Sequence, residues 1–219
     1  QKKTTSYIDF TNYKLRCEIS MSMEVGTMAL SAFENAFVKQ VTEAMVKAIE
    51  TKIVSTADGT TGMKGILAET PATGQALTAK NLSFELLCDA EGALPEEYEG
   101  DSVWCMSKKT FMSFVGMTDA EGQPIARINY GLGGKPERYL NGRPVLTCSY
   151  VDTFKSNLEA GKIFAFIFNF ADYAVNTVYD MGIQRKQDWD TEDLLTKAVM
   201  SVDGKTIDKN SLVTIAKSA

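Results

Sequence analysis

The apolar positions of the chain change period along its length, and each change marks an element. Between Tyr7 and Ser20 the residues Tyr13, Leu15, Cys17 and Ile19 alternate with Lys, Arg and Glu, behind Tyr7, Ile8 and Phe10. A period of two predicts an extended, half-exposed arm. The spacing then becomes helical: Val25, Ala29, Phe33, Phe37, Val41, Met45, Ile49 and Ile53 recur every four residues, preceded by Met28, Ala32, Ala36, Ala44 and Ala48. This predicts a long helix from Met23 to Val54, with Ser22 as N-cap, Glu24 in the first turn, Lys47 and Lys52 toward the negative end, and Asp58-Gly59 as terminator. Such a helix is about 48 Å long, against about 45 Å for the width of a compact globule of this chain length. An elongated or L-shaped subunit that meets neighbours along its length is the expectation.

After the turn Gly59 to Gly65 and a Thr/Ala/Gly loop to Ala79, Leu82, Phe84, Leu86 and Leu87 predict a short helix ending near Gly92, closed by Pro95. Ser102–Met106 reads as a strand and Lys108–Met117 as a helix, followed by a turn at Asp119–Pro124 and a Gly-rich loop at Gly131–Pro136. Further strands are expected at Tyr139–Thr147, Ile163–Phe170 and Tyr173–Tyr179. Asp203-Gly204, between Ala198–Val202 and Lys205–Asp208, predicts a two-residue hairpin, and Leu212–Ala216 could add a last strand. The fold class is α+β.

Composition narrows the function more than the fold. The chain has 219 residues, 44% of them hydrophobic, enough for one large core or two moderate ones. There is no histidine, which removes His-dependent triads, the commonest general base and most zinc and copper sites. The net charge is −5, without the basic face that would clamp phosphates. Cys17, Cys88, Cys105 and Cys148 are scattered and read as small apolar fillers in a reducing interior. No segment has the ~18 uncharged apolar residues of a membrane span, and no signal sequence opens the chain, which reads as soluble and unsecreted. Beginning at Gln1 almost directly in a strand, the chain is expected to have lost an N-terminal portion.

Candidate chemistry does not converge. Lys64 in the Gly59–Gly65 turn is followed by Gly65-Ile66-Leu67, so the pattern of a phosphate-binding loop is missing and the turn reads as structural. The acidic run Asp188 to Asp193 has Asp193 and Val199 where a calcium loop needs Gly and Glu, and reads as a solvated loop. Glu96, Glu97, Glu99, Asp101 and Asp119 could supply a hydrolytic carboxylate pair, but nothing selects two of them. Ser107-Lys108-Lys109 has the wrong spacing for a Ser/Lys centre and reads as a helix start. Phe164, Phe166, Phe168 and Phe170, interleaved with Ile163, Ala165 and Ile167, read as a strand buried on both faces rather than a stacking platform. No catalytic, cofactor-binding or metal-binding residue is assigned.

The order of segments resembles the major capsid proteins of tailed bacteriophages, whose fold encapsulin nanocompartments share. The resemblance is carried by Tyr13-Lys14-Leu15-Arg16-Cys17-Glu18-Ile19-Ser20 before the long helix, then Asp58-Gly59-Thr60 and Gly65-Ile66-Leu67. It continues through Val103-Trp104-Cys105-Met106-Ser107, Thr118-Asp119-Ala120-Glu121-Gly122-Gln123-Pro124-Ile125 and Leu140-Asn141-Gly142-Arg143-Pro144-Val145. Phe168-Asn169-Phe170-Ala171-Asp172-Tyr173-Ala174-Val175 and a closing β segment at Lys197–Ile215 complete it, although Phe168 stands where the family usually has Gly before Asp or Asn.

The resemblance implies a shell subunit with a spine helix, a peripheral lobe (21–78 and 180–219) and an axial lobe (79–179), residues 1–20 being the returning part of an extended loop that lies over a neighbour. It implies copies of itself in pentamers and hexamers as partners, with scaffolding, protease and portal proteins as further ones, DNA enclosed without sequence reading, and no membrane. The place implied is the virion capsid, assembled in the bacterial host cytoplasm. Tyr13, Lys14, Arg16 and Glu18 are the candidate subunit contacts. Some members of the family cross-link subunits through a loop Lys and a distant Asn; Lys14 lies in the corresponding loop, but Asn169, Asn176 and Asn210 do not match, so cross-linking is read as absent. A subunit shortened at its N-terminus is expected to stay a monomer or small oligomer rather than close into shells. An encapsulin shell protein is the alternative, and a carboxylate-dependent or Ser/Lys hydrolase the rival from another class.

Overall fold

The computed structural model describes residues 8–21, 30–118, 123, 126–129, 136–191 and 193–218. The expected helix start at Ser22 to Ala29, Glu192, nearly all of the turn at Asp119–Pro124 and the Gly-rich loop short of Pro136 lie outside them. The chain forms two compact units, Gln1–Ile66 with Ala174–Lys205 and Leu67–Tyr173 with Thr206–Ala219.

The first unit holds β1 (Tyr13–Met21), α1 (Leu30–Ile53), and the long strands β8 (Tyr173–Gln187) and β9 (Leu194–Thr206). The strands form an antiparallel sheet in the order β1-β9-β8, with β1 paired to β9 along its whole length, from Tyr13 opposite Val202 to Met21 opposite Leu194. Val41 and Met45, one helical turn apart, bury against Ala198, flanked by Leu15, Cys17, Met181 and Met200. The four-residue repeat of the sequence thus supplies the helix face that covers the sheet.

Where a hairpin was expected, β9 runs straight through Asp203-Gly204. Gly204 does not take the positive φ that a tight hairpin needs, and its carbonyl accepts from Lys64 N at 3.1 Å. Asp203, 1% exposed, accepts from Thr11 N at 2.7 Å and from Gly204 N. The dipeptide is therefore held by long-range partners instead of turning. β8 is also longer than the expected Tyr173–Tyr179: most of its residues are exposed, so its pairing rather than an apolar pattern defines it.

The second unit is built on a seven-stranded mixed sheet in the order β2-β10-β7-β3-β6-β5-β4. Its strands are β2 (Ala76–Ala79), β3 (Val103–Met106), β4 (Ala126–Asn129), β5 (Glu137–Leu140), β6 (Arg143–Thr147), β7 (Ile163–Phe168) and β10 (Val213–Lys217). Phe164 to Phe168 are all fully buried, as expected of a strand covered on both faces. Helices α2 (Phe84–Gly92) and α3 (Lys108–Val115) add Leu87, Ala90, Phe111 and Phe114 to the core around Trp104, Met106 and Ile167. Ser83 and Ser107 cap them, accepting from Leu86 N and Thr110 N.

The single strand expected at Tyr139–Thr147 is a hairpin. Asn141 and Gly142 have φ of 51° and 83°, the left-handed pair of a type I′ turn, and they reverse the chain between β5 and β6. The units also divide differently from the expected lobes. Residues 67–78 and 206–219 belong to the second unit, because β2 and β10 are neighbouring strands of its sheet.

A buried ion pair pins the second unit. Arg143 Nε and Nη2 donate to Glu91, Nη1 donates to the carbonyls of Glu99 and Ser102, and Trp104 Nε1 donates to Glu91 Oε1 at 2.8 Å. Replacing Arg143 with Met leaves Glu91 without its countercharge. Urea denaturation should register a loss of about 3 kcal/mol, the low end for a broken buried pair because Glu91 keeps 22% of its side chain in water.

Asp172 accepts from Ser211 Oγ at 3.2 Å, but burial raises its pKa above the usual carboxylate value, with the Asp208 charge adding to the rise. A raised folded-state pKa means that the native state holds the proton more tightly than the unfolded chain. Its contribution is complete below the unfolded value and is lost as pH rises through the folded one. Asp172→Asn should stabilise the fold at neutral pH and flatten the gain on acidification; an unchanged pH profile of the melting temperature would count against this.

Candidate assembly surface

Alternation along β1 sorts the expected contact residues. Leu15 and Cys17, opposite Met200 and Ala198, turn toward α1, and Lys14, Arg16 and Glu18 take the other face, where all three are exposed. Glu18 lies directly opposite Lys197, and Arg16 opposite Val199.

Tyr13 differs from the other three. It is half-buried and its hydroxyl donates to the Gly59 carbonyl, so it is engaged within its own chain. Around it the N-terminal segment is laced to the end of β9: Lys205 Nζ donates to the Asp9 carbonyl, and Ser201 Oγ to Asn12. The turn after α1 closes on the same end. Gly65 N donates to the Ala57 carbonyl at 2.9 Å, and a Cβ on Gly65 would sit 1.9 Å from the Ser55 carbonyl oxygen, so no other residue fits. Asp58 accepts from both the backbone and the hydroxyl of Thr60, chiefly the hydroxyl, which lowers its pKa. This is a self-contained turn, whose exposed Asp58 and Thr60 bond to each other.

Other candidate chemistry is tied up in the same way. Lys108 and Lys109 are exposed at the start of α3, behind a Ser107 hydroxyl used as its cap. Cys105 is buried, and a hydrogen bond with Cys148, together with desolvation, pushes its thiol pKa upward, the opposite of an activated nucleophile. Among the described residues no three Cys, Asp or Glu side chains group as metal ligands, and no helix is long and apolar enough to cross a membrane.

Sequence reasoning singled out β1 but passed over the far end of the sheet. Between β8 and β9 the loop is closed by Asp188 N donating to the Asp193 carbonyl at 2.8 Å, and Asp190 N donates to Asp188 Oδ1. Trp189, between them, is 85% exposed. Its sequence signal was a large aromatic residue standing alone in an acidic run.

The first unit thus presents exposed charged residues on the outer face of β1 and a projecting aromatic tip between β8 and β9. The model of the phage capsid family matches residues 1–216. The chain belongs to this family and is a capsid shell subunit.

The fold agrees. The capsid of an empty GTA particle is similar with a TM-score of 0.80 at 17% identity, over 100% of this chain and 80% of that one. The holo-SrpI encapsulin complex from Synechococcus elongatus PCC 7942 gives 0.70 at 11% identity, over 94% and 73%. Gordonia phage Cozz gives 0.61 at 16% identity, over 100% and 76%. No curated protein matches the chain.

If Lys14 and Arg16 serve only the outer surface, Lys14→Glu and Arg16→Glu should shift folding stability by no more than about 0.5 kcal/mol. Glu18→Lys should cost up to about 1 kcal/mol, because it sets like charges across from Lys197. Denaturant titration of the three variants checks this, and a larger loss at Lys14 or Arg16 would assign those side chains to internal packing.

Proposed function

We propose that the protein is the major capsid protein of an icosahedral phage or prophage shell, working by self-assembly into pentamers and hexamers. The family match over residues 1–216 carries this reading. The first unit, with α1 and the three-stranded sheet, takes the peripheral place and the second the axial place. The charged outer face of β1 supplies contacts between copies through Lys14, Arg16 and Glu18. Assembly takes place in the bacterial host cytoplasm, with scaffolding, protease and portal proteins as further partners. The net charge of −5 suits a wall that encloses DNA without gripping it, since counterion release needs clustered Lys and Arg.

The likeness to an encapsulin rests on fold alone and favours the alternative less than the family match favours a phage capsid. A carboxylate-dependent hydrolase gains no support from the cavity beside Glu91, Glu99 and Arg143. Both Glu91 oxygens accept from Arg143, and one of them also from Trp104, so Glu91 is held as a structural ion pair and Glu99 is left without a second free carboxylate to complete an acid-base pair.

Light scattering and negative-stain electron microscopy of the chain at rising concentration test the proposal. Of the monomer and small oligomer expected from the sequence, the proposal selects the small oligomer, rings of five or six subunits; a chain that remains monomeric throughout would contradict it.

A further inference from the structure

A cavity of about 120 Å³ opens in the first unit between β1, α1, the turn after α1 and β9. Leu15, Ile49, Met63 and Val202 give it apolar walls, the exposed Lys52 on α1 also lines it, and no carboxylate does. It is smaller than the ~150 Å³ of an apolar cavity that takes up benzene, so it can receive the edge of a larger ring but not enclose it. At the other end of the same sheet Trp189 stands 85% exposed, with Asp188 and Asp190 on either side.

The two features are apolar and opposite in charge at their margins, yet they cannot meet within one subunit. Eight residues of β9 separate Leu194, beside the tip, from Val202 in the cavity wall, roughly 26 Å of strand. An indole cannot span that distance. Resting on the shell reading above, we propose that Trp189 of one subunit docks at the cavity between β1 and α1 of a neighbouring copy, with Asp188 and Asp190 facing Lys52. Tip and cavity are different patches, so the contact is head-to-tail. Such contacts propagate from copy to copy and close into rings when the rotation between subunits allows.

Trp189 reports on its own surroundings, because the other tryptophan, Trp104, is fully buried in the fold. Acrylamide quenching of the full chain, read alongside sedimentation velocity, should show Trp189 becoming shielded as subunits associate. Trp189→Ala should weaken association by about 30-fold, as expected of a buried aromatic anchor. Gly62→Leu should plug the cavity and abolish the shielding; Gly62 lines it, has no positive φ, and a Cβ there meets nothing within 4 Å, so the variant can fold.

Lys52→Glu, an exposed change, should weaken association, and Asp190→Lys in the same chain should restore part of it. Association that leaves Trp189 as quenchable as in the monomer, or shielding that persists in Gly62→Leu, would overturn the contact while leaving the shell reading intact. A chain that never associates would overturn both.

Discussion

The strand Leu194–Thr206 has a hydrogen-bonded neighbour on each side, and the first unit is organised by that constraint. Backbone donors and acceptors that leave water must be paired, and a central strand satisfies both of its edges only if both neighbours keep register. The nine-residue pairing with Tyr13–Met21 does more than hold the arm. It sets Leu15 and Cys17 on the side of Ala198, Val41 and Met45, and so seats the helix. A slip of one residue would turn Lys14 and Arg16 onto the helix and expose the apolar row, which makes the register self-enforcing. The polar end of the strand is settled by the buried Asp203, whose carboxylate holds Thr11, and by Gly204, whose carbonyl holds the turn after the helix.

The second unit solves the same problem by burial instead of length. Its strand Ile163–Phe168 is covered on both faces, so the core supplies the cohesion and polar groups inside it must be fully partnered. Arg143 meets that demand with bonds to Glu91 and to two carbonyls, and it does so from the first residue after the Asn141-Gly142 turn. The turn therefore sets the position of the ion pair as well as the direction of the chain.

What could be read from the sequence follows from these two modes. Val41, Met45, Ile49 and Ile53 mark the helix, and Phe164 to Phe168 the doubly covered strand, because burial leaves a periodic trace in residue type. Residues 173–187 leave little trace: Asn176, Thr177, Asp180 and Gln184 are exposed and are held in a strand by pairing alone. Asp203-Gly204 carries a local turn signal that long-range bonds override, and Asn141-Gly142 carries the same kind of signal and obeys it. Dipeptide chemistry cannot separate the two, since the difference lies in residues far away in the chain. The outward placing of Lys14, Arg16 and Glu18 was legible from alternation, but the tie of Tyr13 to Gly59 was not, because that partner is remote in sequence.

The same reasoning bears on where a histidine-free chain keeps its function. The polar groups that might have served chemistry are spent internally: Ser83 and Ser107 on helix caps, Glu91 on Arg143, the Cys105 thiol on Cys148. What the first unit turns to the outside is of another kind, the exposed Lys14, Arg16 and Glu18 and a tryptophan 85% exposed. A large aromatic side chain in water carries a standing free-energy cost that burial would remove. In a capsid shell subunit that removal can come from the neighbouring copies, which is the physical reason for proposing these features, and not the engaged polar groups, as contacts.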